Sequence, residues 1–181
     1  MGASISQFWQ HIFGRKLINI LIVGNDYAGK TTILYRLNLE NTLTVKIPIM
    51  GFCIEQATYQ NITFTVFDLY PEKFRSVQRQ YYENVQGIIF VVDSNDDVKD
   101  CYAREGLDDL CNENQLIGVP ILILANKQDL PNAMNVDQIR ERLGLDLIRG
   151  RNWHIQPASI INNQGLREGL TWLSRTISHK K

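Results

Sequence analysis

The chain carries no excess charge of either sign. Lys plus Arg number 19, and Asp plus Glu also number 19. A broad nucleic-acid surface needs clustered basic residues, so none is expected. Cysteine is scarce. Cys53, Cys101 and Cys111 are odd in number and form no C-x-x-C, which speaks against a disulfide scaffold or a zinc site and fits a reducing compartment. His11, His154 and His179 are scattered and suggest no metal cluster. No apolar run approaches the roughly 20 residues needed to span a bilayer. The N-terminus lacks a basic region followed by a continuous apolar core, so no secretory signal is expected. Repeats and low-complexity linkers are absent. What is present is a chain of 181 residues, 44% hydrophobic, enough for one domain with a real core.

The chain is organised around Gly24-Asn25-Asp26-Tyr27-Ala28-Gly29-Lys30-Thr31, which fits G-x-x-x-x-G-K-[ST], the phosphate-binding loop. It follows an apolar run, Leu17 to Val23, that reads as a buried strand. Thr32 then leads into Ile33, Leu34 and Leu37 at helical spacing. Strand, glycine loop and helix is the context the motif requires. Gly24 and Gly29 let successive amides turn inward as an anion nest. The helix start adds partial positive charge. Lys30 is expected to reach the outer phosphates, and Thr31 to offer its hydroxyl to Mg²⁺. The plainer reading is a glycine turn before a core helix.

Met1-Gly2-Ala3-Ser4-Ile5-Ser6 fits the acceptor pattern for N-myristoylation on Gly2. Ile5, Phe8, Trp9, Ile12 and Phe13 then form one helical stripe, with Ser6, Gln7, Gln10 and His11 on the other face. Residues 1–16 are therefore read as an amphipathic helix that meets a membrane, and 17–181 as the nucleotide-binding domain. One myristoyl chain binds a bilayer only marginally, with K on the order of 10⁴ M⁻¹, so a second signal such as this stripe is required. The other reading is a helix packed on the domain, and the two can alternate.

Asn38 to Met50 has no clear period, contains Pro48, and reads as a loop. Phe52 to Thr58 and Ile62 to Phe67 read as a hairpin closed by Asp68. In a phosphate-loop protein a carboxylate there commonly holds Mg²⁺ through water; a strand-end or helix-cap aspartate is the other reading. Pro71 to Asn84 reads as loop and irregular helix. Gly87 to Asp93 and Val119 to Ala125 read as buried strands, and Asp97 to Asn112 as a helix. Val136 to Leu143 reads as a short helix, Asn152 to Gln156 as the last strand, and Gly165 to Ile177 as the final helix. Trp153 and Trp172 are expected to be packing residues.

Asn126-Lys127-Gln128-Asp129 is an N-K-x-D at a strand end, about a hundred residues after the phosphate loop. Guanine presents N1–H and N2–H₂ on one edge, and Asp129 accepts both as a charge-assisted fork. Adenine lacks that donor pair and would leave the carboxylate unpaired. Asn126 ties the base to the phosphate loop, and the Lys127 stem covers the ring. Ligands of such sheets bind beyond the strand C-termini. A phosphate-loop kinase is disfavoured, since N-K-x-D selects a base and no acceptor-substrate site is evident.

Over nearly its whole length the chain resembles the Arf (ADP-ribosylation factor) family of small GTPases. The shared features are Gly2 with its amphipathic start, the Gly24 loop with Lys30-Thr31-Thr32, Pro48 with Gly51-Phe52, and Val91-Val92-Asp93-Ser94-Asn95-Asp96. Ala125 to Ala133 and Arg151-Asn152-Trp153 complete the set. The resemblance implies an α/β phosphate-loop NTPase fold, with a six-stranded, mostly parallel sheet flanked by helices. It implies a monomeric GTP/GDP switch with Mg²⁺, working in vesicle-mediated protein transport from the cytoplasm onto membranes, notably the Golgi. Exchange factors, activating proteins and coat or tether effectors are the implied partners. Its nucleotide-binding residues fall on Asp26, Tyr27, Ala28, Gly29, Lys30, Thr31, Thr32, Asn126, Lys127, Asp129, Ser159 and Ile160. Metal binding falls on Thr31 and, through water, on Asp68; the catalytic positions fall on Lys30 and Glu72.

The departures from the family matter. The threonine after the loop proline, which binds Mg²⁺ and the γ-phosphate, is replaced by Ile49. After the strand-end aspartate the family reads aspartate-x-glycine-glycine-glutamine; here the run is Asp68-Leu69-Tyr70-Pro71-Glu72. Without a gap, Pro71 replaces the glycine and has no N–H to give. With a one-residue gap it replaces the water-orienting glutamine. Tyr27 is large for the loop, and Ile160 replaces a small residue while keeping an amide within reach of the guanine oxygen. Two functions follow: a GTPase with weak intrinsic turnover, or a pseudo-GTPase serving as a constitutive membrane-recruited binding module.

Overall fold

The computed structural model describes residues 17–37, 43–49, 52–59, 62–68, 78–96 and 100–179. The expected N-terminal helix, Gly2, and the Leu69 to Glu72 run lie outside these residues.

The apolar runs form strands buried on both faces, as parallel central strands must be. They are β1 (Ile18–Gly24), β5 (Val85–Asp93) and β6 (Ile121–Asn126). Strands β3 (Phe52–Tyr59) and β4 (Ile62–Asp68) make the expected hairpin, and β7 (Trp153–Pro157) is the last strand. The helices are α1 (Lys30–Arg36), α2 (Asp100–Asn112), α3 (Val136–Arg142) and α4 (Leu166–His179). At the start of α3, Asn135 and Gln138 exchange side-chain and backbone bonds as a capping box, satisfying two donors at that helix end.

The sheet has seven strands, in the order β2-β3-β4-β1-β5-β6-β7. The six strands that the resemblance implies are present, and a seventh is added. This is β2 (Leu43–Ile49), which falls inside the segment expected to be loop. Its register against β3 is antiparallel and runs from Leu43↔Thr58 to Ile49↔Phe52. The reason is legible afterwards. Leu43, Val45, Ile47 and Ile49 alternate with Thr44, Lys46 and Pro48, a period of two. Pro48 obscures the pattern, yet proline is tolerated on an edge strand, and β2 ends the sheet.

The two faces of the sheet are covered by different helices. Ile20 and Ile22 of β1 lie in one cluster with Ile33 and Leu34 of α1 and with Leu170 and Leu173 of α4. Leu21 and Val23 lie in the other, with Leu107 and Leu110 of α2 and Ile139 of α3. Alternate residues of one strand thus feed two cores, which gives three layers. Trp153 and Trp172 pack, as expected. Trp172 stacks on His154 with ring centroids 5.2 Å apart, and Arg140 lies 5.7 Å over Trp153. Among the described residues, no helix is long and apolar enough to cross a membrane.

The topology brings the functional segments to one edge. β4, β1, β5, β6 and β7 are mutually parallel, so their C-terminal ends gather. Gly24 is in register with Asp68, and Asp93 with Asn126. The chain passes from one side of β1 to the other between β4 and β5. Ligand crevices in open α/β sheets form at such a reversal of strand order.

Candidate functional site

The loop after β1 turns tightly under backbone constraint. Gly24 has φ 154°, and a Cβ there would lie 2.2 Å from the carbonyl oxygen of Val91. Gly29 has φ 105°, and its Cβ would meet Asn126 Nδ2 at 2.4 Å. Only glycine fits either place. The turn is closed by Ala28 N–H donating to the carbonyl of Asn25 at 3.3 Å. Lys30 is buried, and its Nζ donates to the same carbonyl at 2.6 Å, which folds the side chain over the loop.

Asp26, Tyr27, Gly29, Lys30, Thr31, Thr32 and Lys127 line one cavity of about 680 Å³. The phosphate loop and the N-K-x-D lysine thus line one cavity. Ala28, Asn126, Ser159, Ile160 and Asp129 do not line the cavity. A chain of hydrogen bonds connects them to it.

Asn126 is the centre of that chain and is almost wholly buried. Its Nδ2 donates to the carbonyl of Ala28 at 2.8 Å, and its Oδ1 accepts from Ile160 N–H at 3.0 Å. One amide side chain thus holds the phosphate loop, the end of β6 and the loop after β7 together. The Ile160 amide, expected to face the guanine oxygen, is engaged by Asn126 here. A buried amide needs both of its ends satisfied, and Ile160 supplies the donor. The Ile160 side chain is buried in the core. Next to it, Ser159 Oγ donates to Asp129 Oδ1 at 2.6 Å. This bond fixes one carboxylate oxygen and so orients the fork.

Three residues missed by the sequence reading brace the N-K-x-D loop. Asp93, at the end of β5, pairs with Lys127 at 2.5 Å. The adjacent Ser94 is fully buried. Its N–H donates to the Asn126 carbonyl, and its own carbonyl accepts from Met134 N–H. Gln128 Nε2 donates to Ser94 Oγ at 2.8 Å and to the Met134 carbonyl at 2.9 Å. The available signal was Asp93-Ser94 at the end of an apolar run, like Asn126-Lys127 at the end of the next.

The metal question rests on donor chemistry. Thr31 brings a hydroxyl to the cavity wall, and the end of β4 brings Asp68 opposite Gly24. These are hard oxygen donors, few in number, as suits Mg²⁺, which keeps waters and takes phosphate oxygens. Among the described residues, no three His, Cys, Asp or Glu side chains converge on a metal site. The arrangement fits a cation that takes most of its ligands from water and from a bound phosphate group. Ile49 ends β2, with its Cα in register with Phe52. β2 is three strand intervals from β1, about 14 Å at the usual spacing.

Compared with known families, residues 5–177 match the model of the ADP-ribosylation factor (Arf) family, nearly the whole chain.

Proposed function

We propose, because the chain belongs to the ADP-ribosylation factor family of small GTPases, that the cavity between the Gly24 loop and Lys127 is its guanine-nucleotide site. Family membership carries guanine-nucleotide binding, generally with Mg²⁺, and a general role in membrane traffic. The finer assignment is ours. The amides of Asp26 to Thr32 and the Lys30 ammonium hold the phosphates, while Asp129 reads the base. The observation that carries this is Asn126, which joins the phosphate loop to the loop that orients Asp129.

Mg²⁺, when bound, neutralises charge on the outer phosphates, and Thr31 and Asp68 are the residues to hold it. Lys30 adds a fixed positive charge at the same end. These residues bind and orient; hydrolysis also needs a group that positions water, and that role falls to Glu72 or to none. We assign residues 1–16, with a myristoylated Gly2, to membrane attachment and 17–181 to the GTP-binding domain. Vesicle-mediated protein transport at cytoplasmic membrane faces, including the Golgi, through exchange factors, activating proteins and coat or tether effectors, completes the reading.

The experiment is titration of nucleotide-stripped protein with GDP, GTP and ATP, with and without Mg²⁺. Uptake of both guanine nucleotides but not ATP is expected. No uptake of guanine nucleotide would overturn the assignment.

One observation favours a second reading, a pseudo-GTPase serving as a binding module. The backbone at Ile49 is paired into the sheet edge, and its side chain has no oxygen for Mg²⁺ or γ-phosphate. Single-turnover GTP hydrolysis with an activating protein separates the two. Stimulated turnover supports the enzyme; tight binding without turnover supports the module.

A further inference from the structure

Asp93 and Lys127 meet at 2.5 Å, with side chains 15% and 31% exposed. The pair is fixed from the Asp93 side. Its Oδ2 accepts from the Lys127 ammonium, and its Oδ1 accepts from Asn95 N–H at 3.0 Å. The pairing of β5 with β6 sets Asp93 opposite Asn126, one residue before the lysine.

The loop that carries Lys127 is held without this ion pair. Gln128 N–H donates to the Ala158 carbonyl and Leu130 N–H to the Lys127 carbonyl, both at 3.0 Å. The Gln128 side chain reaches Ser94 and Met134, and the Asn126 amide is bonded at both ends. Partly exposed ion pairs also add little to stability. What the pair does fix is the lysine side chain.

Charge makes that placement matter. Lys127 lines the cavity with the Gly24 loop, and Asp129 stands two residues further along the chain. Among the described residues, Asp129 takes a hydrogen bond from Ser159 and forms no ion pair. An ammonium on a flexible four-carbon stem turns to whatever carboxylate it can reach. Without Asp93, the nearest along the chain is Asp129. Pairing there would offset the charge that gives a fork to guanine its strength. Asp26, which lines the same cavity, is the other carboxylate at hand.

We propose that Asp93 determines base specificity: by holding the Lys127 ammonium it keeps that cation off Asp129 and preserves the preference for guanine. Asp93 acts through Lys127, so it is a positioning residue. The inference rests on the guanine-nucleotide assignment above.

The test titrates nucleotide-stripped protein with GDP and with inosine diphosphate, which lacks the exocyclic amine and so one of the two donors that Asp129 reads. The ratio of the two affinities reports on Asp129, whereas a loosened loop weakens both ligands together. Asp93→Asn is expected to lower the preference for GDP about tenfold. Asp93→Asn/Lys127→Met removes the released ammonium and should return the preference to that of the original chain, whatever it does to affinity itself. Melting of each nucleotide-free variant shows that it is folded; if Asp93→Asn is not, the double variant decides alone. An unchanged preference in Asp93→Asn overturns the proposal, and would be the result if the ammonium turned to Asp26. A preference that stays low in the double variant overturns it too, as does an original chain that binds GDP no better than inosine diphosphate. If the original chain takes up no guanine nucleotide, the site assignment falls and this inference falls with it. A strong preference in the original chain that Asp93→Asn leaves intact removes the inference alone.

Discussion

The hydroxyl of Ser159 donates to Oδ1 of Asp129 over 2.6 Å, although thirty residues of sequence separate them. The bond fixes the carboxylate's orientation, and Oδ1 keeps a second lone pair beside Oδ2 for the ligand. Ser159→Ala removes it, and hydrogen bonds to a charged group are worth about 1.5–3 kcal/mol. GDP affinity is expected to fall by roughly tenfold or more. Asp129→Asn should reduce it far further, because the replacement puts a donor opposite the guanine donors. Isothermal titration checks both, and equal affinities for all three proteins would show that the base is read elsewhere.

Asn126→Ala strands two buried groups at once, the carbonyl of Ala28 and the amide of Ile160. Each unsatisfied buried polar group costs about 1–3 kcal/mol, so a loss of about 2–6 kcal/mol is expected in unfolding free energy. Urea denaturation of the nucleotide-free protein measures it. A loss of affinity without loss of stability would mean that the bridge forms only with ligand.

With Ile49 in place of an oxygen donor, the γ-phosphate has little purchase on the segment that contains β2. A ligand shifts an equilibrium only by its differential affinity for the two states. Hydrogen exchange over residues 45 to 82 should therefore differ little between the GDP and GTP forms. A large protection difference there would show that GTP recruits the segment by other atoms.

Membrane attachment is assigned to Gly2 and the apolar stripe behind it. Gly2→Ala blocks the acceptor and should leave the protein mostly in the soluble fraction of cells. Undiminished membrane association would remove the lipid from the account and leave the stripe to act alone.

Burial pushes the Cys111 thiol up from its ordinary range; Asp108 raises it further, against an opposing pull from Arg151. The fold thus favours the protonated thiol. That contribution is present below the ordinary thiol value and fades as pH rises through the raised one. Iodoacetamide labelling of Cys111 at mildly alkaline pH should be slower in native protein than in urea. Equal rates would contradict the assignment of burial as the dominant cause.

Much of this molecule can be read from the chain. Ile20 to Val23, Ile88 to Val92 and Ile121 to Ala125 are continuous apolar runs, and only a doubly covered sheet accommodates them. The glycine loop and the N-K-x-D declare themselves by residue type. β2 escaped because Pro48 interrupts an alternation that an edge strand tolerates. Asp93 and Ser94 escaped for a different reason. Their partners Lys127 and Gln128 are each 34 residues away, and only the parallel pairing of β5 with β6 brings them opposite.

The single amide at Asn126 has a consequence for how the molecule lets go of its cargo. On the proposed assignment, prying up the diphosphate cradle tugs, through one side chain, on the purine recognition loop. Grip and discrimination are therefore geared together, and a regulator that disturbs either end loosens both.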